Sequence, residues 1–430
     1  MKGSMKWLSL VMAIVLLSSL FSFAAAEEKT SLTFLHFHSV SDTAGTAKAF
    51  DEASTEFLAA NPNVDITSTY VAHDDYETNL KVLVTGDELP DMFLCKGDML
   101  SSLAKAGKII PVTDLMDDAW KAEYLDTAFG DALVDGVAYG FPFQMQPNAV
   151  VYYNKDILTE CGVDTFPATY AELLTAIDKI KAKGYTPIAL GNKDQWVAES
   201  CLFNTFAYRY VDGTWFESLK NKTGAKFTDA AFVQALTDFQ ALATAGAFNA
   251  DMNSINNNEQ EAMYENKKAA MFIEGAWALG NIIKDAPEDV KAATEFAAIP
   301  TVEGQAGGVQ NGVAGGAGWS YVIKAGLTDA QQKAALDYFK AITTGNYGTY
   351  ALEAGFVPAC KTENVDTTKL DPLFAKYSAL ASTWTFLPIF DVQLSSPVAT
   401  ELYARTQELL IGATTPQEFA ESCQAVLDAE

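Results

Sequence analysis

The sequence predicts an α/β protein built from two domains, on three observations. At 430 residues, 49% of them apolar, the chain exceeds what one hydrophobic core ordinarily supports. Short apolar runs of strand length alternate with stretches whose apolar residues recur at helical spacing. The segment "GFPFQMQPNAVVYYNKDIL", residues 140–158, breaks an apolar run at Pro142 and Pro147 and resumes it at residues 149–153, as a chain leaving one compact unit for another would.

Taken in order, Lys2 and Lys6 precede an apolar stretch over 7–23 that ends at Ala24, Ala25 and Ala26 before Glu27 and Glu28. This pattern is that of a secretory signal peptide, residues 1–26, cleaved after Ala26. Ser9, Ser18, Ser19 and Ser22 interrupt the stretch, which is short for a membrane anchor. No cysteine follows it, so a lipid-modified terminus is not indicated. Residues 32–37 read as a strand, and Phe50, Ala53 and Phe57 as a helix stopped by Asn61 and Pro62. Residues 64–71 are extended again, 76–84 form a helix ending at Gly86, and 91–95 are a buried strand. This β-α-β-α order implies a largely parallel sheet covered on both faces. Further on, Thr169 with Glu172, Thr328 with Gln331 and Thr415 with Glu418 have capping-box spacing, and Pro416 takes a favoured first helical position. Residues 304–318 are a glycine-rich loop, mobile or closely packed, leading to a strand over 321–324.

Composition narrows the function. With 29 basic and 55 acidic residues the formal charge is −26, and cleavage would remove two lysines more. This balance disfavours nucleic acid and anionic membrane surfaces as partners. Only Arg209 and Arg405 could supply the forked clamp that carboxylate and phosphate ligands favour, so a neutral ligand fits better. The five cysteines have no C-x-x-C spacing and read as buried thiols, although an exported chain permits a disulfide. No hydrolase, metalloprotease or P-loop motif is present, and His36, His38 and His73 show no metal-ligand pattern. The expectation is therefore no enzyme, no metal and no cofactor. A two-carboxylate glycosidase stays open as the alternative, because acid pairs abound.

Aromatic residues beside polar ones at expected turns carry the positive signal: Asn192 to Trp196, Glu274 to Trp277, and Gly318 to Ser320. Sugars offer apolar faces that rest on aromatic rings and hydroxyls that need amides or carboxylates. Trp120, Trp215 and Trp384 read as packing residues.

The segment quoted above, with "GVDTFPATYAELLTAIDKIKAKGY" after it, resembles the central signature of family 1 extracellular solute-binding proteins, the sugar-capturing subunits of ABC importers. "NPNVDI", "GDELPDMF", "YENKKAAMFIEGAWALGNI", "AAIP", "EAGFVPA" and "TTPQEFAESCQAVLDAE" agree in order, while His36 and His38 stand where a tryptophan is common. The resemblance implies a two-lobed periplasmic-binding-protein-like fold of type II, each lobe a sheet flanked by helices. It places the N-terminal lobe at 27–145 and 302–350 and the C-terminal lobe at 146–301 and 351–430, joined by hinge crossings near 140–154, 299–302 and 351–356. It implies extracytoplasmic capture of a neutral mono- or oligosaccharide in the cleft by a monomer, and delivery to a membrane permease. Site candidates are His38, Asp42 and Asp98 from the first lobe, Gln144, Asn148, Gln195, Trp196, Glu274 and Trp277 from the hinge and second lobe, and Gly316 and Trp319 from the returning segment.

Overall fold

The computed structural model describes residues 29–39, 43–362, 365–381 and 383–430. The expected signal peptide and Asp42 lie outside the described residues. Two hydrophobic cores organise the chain. One draws on residues 32–145 and 317–359, the other on 149–314 and 373–427.

The first core is built on a five-stranded sheet, ordered Val64–Tyr70, Thr30–His36, Met92–Cys95, Ser320–Ile323 and Phe141–Pro142. The first three strands are parallel, with helices Ala44–Ala60 and His73–Gly86 between them. Met92–Cys95 is buried throughout, as a strand covered on both faces must be. Ser320–Ile323 pairs antiparallel to both its neighbours, so the sheet is mixed, not largely parallel as expected. The reason is topological: this strand arrives from the other lobe and enters without the crossover helix that enforces parallel pairing.

The second core surrounds a four-stranded sheet, ordered Thr294–Ala297, Val150–Asn154, Ala269–Glu274 and Thr186–Ala189. All six residues of Ala269–Glu274 are buried. The two tyrosines of the opening segment part company here, as strand alternation requires. Tyr152 is fully buried and stacked on Phe272 at 4.5 Å, while Tyr153 is half-buried against Phe166. Capping boxes form at Thr169, Thr328 and Thr415, and a fourth at Asn256 with Glu259. All five cysteines are buried free thiols.

Three crossings run side by side between the cores. Gln146–Pro147 pairs antiparallel with Gly312–Gly316, Met145 N donates to Val357 O at 3.0 Å, and Asn148 N donates to Ala314 O at 2.7 Å. The glycine-rich segment is thus closely packed: a Cβ on Gly315 would lie 2.5 Å from the Phe386 ring and 2.8 Å from the Gln146 carbonyl oxygen. The chain changes core near 315–316 and between 359 and 373, later than the expected 302 and 351. Arg209 accounts for the first delay. Its guanidinium, buried in the second core, donates to the carbonyls of Ile299, Pro300, Val309 and Gly312 and holds that stretch in the second lobe.

Candidate functional site

A cavity of about 250 Å³ lies where the hinge meets both lobes. Its floor is the hinge itself, with Gln144, Gln146 and Asn148 from the first crossing and Gly316 to Trp319 from the second. Helix His73–Gly86 and the end of strand Met92–Cys95 supply His73, Asp74, Glu77 and Lys96 on one side. Opposite stand Trp196, Ser200, Trp277, Asp391 and Tyr403.

Trp277 follows strand Ala269–Glu274 and precedes helix Ala278–Asp285. Its indole folds back across Gly275, where a Cβ would lie 2.1 Å from the ring, so only glycine fits beneath it. The ring N–H donates to Glu274 Oε1 at 2.9 Å. Glu274 also accepts from Asn257 at 3.0 Å and from Gln260 at 2.7 Å. Burial, and then Glu274 itself, pushes Glu261 well above the ordinary carboxyl range, and burial raises Glu274 as well. Trp196 stands 6.0 Å from Trp277, ring to ring, at the head of a π-helical turn, Val197–Phe203, of the kind found at functional sites. Across the cavity Trp319 packs on Phe37 and Tyr76, with Lys96 Nζ 5.1 Å from its ring centroid.

Polar groups converge on Asp391. It accepts from Ser200 Oγ at 2.9 Å, Tyr403 Oη at 2.6 Å and Lys96 Nζ at 3.4 Å, and Asn148 Nδ2 donates to Ser200. Lys96 is also paired with Glu77 at 3.1 Å. Burial opposes the lysine's charge, but Glu77 and Asp391 outweigh it and raise Lys96 above its ordinary value. This ammonium is therefore spoken for. Burial, and then Asp391, pushes Glu199, next to Ser200 in the chain, well above the ordinary carboxyl range.

The lobes also meet at Asp74 and Asp194. Burial, and then Asp74, raises Asp194 above its ordinary 3.8, whereas the His73 hydrogen bond leads the causes that lower Asp74; Lys193 eases both and Asp75 adds to the load on Asp194. A group whose value rises on lobe contact favours that contact below its ordinary value and loses the benefit as pH climbs through the raised one. Asp194→Asn is thus expected to tighten ligand binding a few-fold at pH 7 and to flatten its pH dependence above pH 4, measured by titration calorimetry.

Of the sequence candidates, Gln144, Asn148, Trp196, Trp277, Gly316 and Trp319 line the cavity. His38 does not: it is buried in the first core, bonded to Tyr321 Oη at 2.7 Å and stacked on Phe50. Burial drives it and His36 towards the neutral form, His36 to about 4. Gln195, at φ 70°, turns its amide to Gln407. Glu274 lies behind Trp277 and does not face the cavity. Asp98 falls in helix Gly97–Lys105, and its side chain lies outside the described residues. Sequence reasoning missed Gln146, Ser200, Asp391 and Tyr403. Gln146 had a signal, since residues 144, 146 and 148 share one face of an extended segment. Among the described residues no cluster of three or more His, Cys, Asp or Glu side chains could hold a metal, and no helix is long and apolar enough to cross a membrane.

Two α/β lobes joined by adjacent crossings, with a cavity at the hinge, define a periplasmic binding protein of type II. The chain belongs to the bacterial extracellular solute-binding protein family, whose model matches residues 41–344. A putative binding protein of Brucella abortus is 23% identical over 260 residues, 60% of this chain; the match spans 62% of that relative's length. The sn-glycerol-3-phosphate-binding periplasmic protein UgpB of Brucella melitensis is 25% identical over 76% of this chain and 75% of its own. Among solved structures, one from work on xylan utilisation by Caldanaerobius polysaccharolyticus superposes with a TM-score of 0.83 at 26% identity, covering 92% of this chain and 99% of its own. A chitin oligosaccharide binding protein gives 0.84 at 25%, covering 93% and 98%.

Proposed function

We propose that this protein captures a neutral mono- or oligosaccharide in the interlobe cavity, without chemical turnover, and presents it to the membrane permease of an ABC importer. One observation carries the reading: three tryptophans from both lobes surround a hinge lined with amides and hydroxyls, the mixture that sugar faces and sugar hydroxyls require. The xylan-utilisation and chitin oligosaccharide neighbours point to the same ligand class. The glycerol phosphate ligand of the Brucella relative suits the cavity less well, because its lysine, Lys96, is already paired with two carboxylates. Glycoside hydrolysis asks for carboxyl groups about 5–9.5 Å apart astride the scissile bond. Of the carboxylates that line the cavity, Asp391 is engaged by Ser200, Tyr403 and Lys96 and Glu77 is paired with Lys96, while the acid pair Glu261 and Glu274 stands behind the Trp277 ring.

In this reading the N-terminal segment exports the chain, the molecule acts as a monomer, and the sugar stabilises the closed state because only there does it touch both lobes. A thermal-shift screen against mono- and oligosaccharides identifies the ligand, since binding to the folded state raises stability by mass action. The matching sugar is expected to shrink the radius of gyration in small-angle scattering, and a constant radius on tight binding rejects hinge closure. Its affinity is expected to change little between low and high salt, whereas a phosphate ester held by ion pairing loses affinity steeply. Released monosaccharide on incubation with the bound oligosaccharide reverses the assignment in favour of a hydrolase.

A further inference from the structure

The side chains on the cavity floor have a fixed hydrogen-bond direction. Gln146 is 1% exposed and lines the cavity. Its Nε2 donates to Gln144 Oε1 at 3.0 Å, and Gln144 Nε2 reaches the carbonyl oxygen of Ala317 at 3.5 Å. A backbone carbonyl only accepts. Ala317 therefore decides which end of the Gln144 amide faces it, and the Gln144 oxygen left over decides which end of Gln146 turns inward. Reversing the two amides would set the Gln144 oxygen against the Ala317 oxygen. The relay leaves Gln146 Oε1, and among the described residues this buried oxygen has no donor. A buried acceptor without a donor is costly, and such atoms in a binding cavity await a partner.

We infer that Gln146 Oε1 reads the ligand: it accepts a hydrogen bond from a hydroxyl of the saccharide lodged against the hinge. The inference rests on the saccharide reading above and narrows it. Gln146 is the residue paired with Gly316 between two crossing strands. A hydroxyl bonded there engages the segment about which the lobes turn, not one wall alone. The chemistry required at this atom is a donor. A sugar hydroxyl meets it, whereas a carboxylate or phosphate oxygen placed there would face acceptor to acceptor.

The test uses the full-length mature protein with xylobiose and N,N′-diacetylchitobiose as probes, taking forward whichever raises the melting temperature. Titration calorimetry then compares that sugar and its monodeoxy analogues on the wild type and on Gln146→Met, which keeps the length of the side chain without its amide. The variant is expected to bind the parent sugar roughly tenfold more weakly, the factor typical of leaving one buried polar group unpaired. One deoxy analogue is expected to lose a similar factor on the wild type and nothing further on the variant. Equal losses across the deoxy series on both proteins overturn the inference while leaving sugar capture intact. So does a wild type that binds every deoxy analogue as tightly as the parent, a result that needs no variant. If neither disaccharide nor any other neutral sugar stabilises the wild type, the proposed function falls and takes this inference with it.

Discussion

Arg209→Met is expected to destabilise the protein by about 3–5 kcal/mol, since each buried carbonyl left without a donor costs about 1–3 kcal/mol. Arg209 is fully buried, and its guanidinium donates to Ile299 O at 2.8 Å, Pro300 O at 3.3 Å, Val309 O at 3.0 Å and Gly312 O at 2.7 Å. Burial lowers its pKa to about 10, so it stays charged at neutral pH and every bond is charge-assisted. Truncation removes the guanidinium from four carbonyls at once, of which Val309 O keeps the bond it accepts from Gly312 N. Lysine offers a single ammonium on a shorter stem and is expected to recover little of the loss, because the planar fork is what reaches acceptors spread over residues 299–312. Urea denaturation of the three proteins checks this. A methionine variant within about 1 kcal/mol of the wild type would show that the carbonyls find other partners.

Trp277→Ala is expected to weaken sugar binding by roughly 2 kcal/mol or more, about thirtyfold, as loss of a central aromatic anchor does. The loss of stability should stay below the about 3–5 kcal/mol of a core tryptophan, since the ring is only half-buried and spans a glycine. Trp277→Phe should fall between, keeping a stacking face while losing the N–H that Glu274 fixes. Calorimetric titration and melting of the same variants separate binding from packing. Unchanged affinity with a collapsed melting temperature assigns the ring to the core and removes the anchor of the proposed site.

Local signals in the sequence translated well. Three Thr-x-x-Glu or Gln patterns became capping boxes, and the run over 91–95 became a buried strand. The fourth box escaped notice because asparagine, not threonine, starts it. What composition suggested about arginine was only half the story: scarcity disfavours an anionic ligand, but Arg209 serves backbone carbonyls, a role no motif announces. His38 looked like a cleft residue because it follows a strand, yet its ring turns into an aromatic core beside Phe50. Asp391, Tyr403 and Ser200 reach the cavity through contacts nearly two hundred residues apart in part, Ser200 to Asp391 above all, and such convergence leaves no local pattern. Sheet direction was misjudged for the same reason, since it depends on which lobe a strand comes from.

The burial of every thiol makes the folded molecule chemically blank to sulfhydryl-directed dyes. Burial pushes Cys360 up to about 12 and Cys201 and Cys423 well above the ordinary thiol value, so neither access nor thiolate is on offer. A cysteine introduced at an exposed position on each lobe would then be the only pair that takes a fluorophore, with no native cysteine to delete first. Energy transfer between the two dyes would follow single molecules opening and shutting in real time, and the native thiols would react only when a molecule unfolds, giving an independent clock for that event in the same tube.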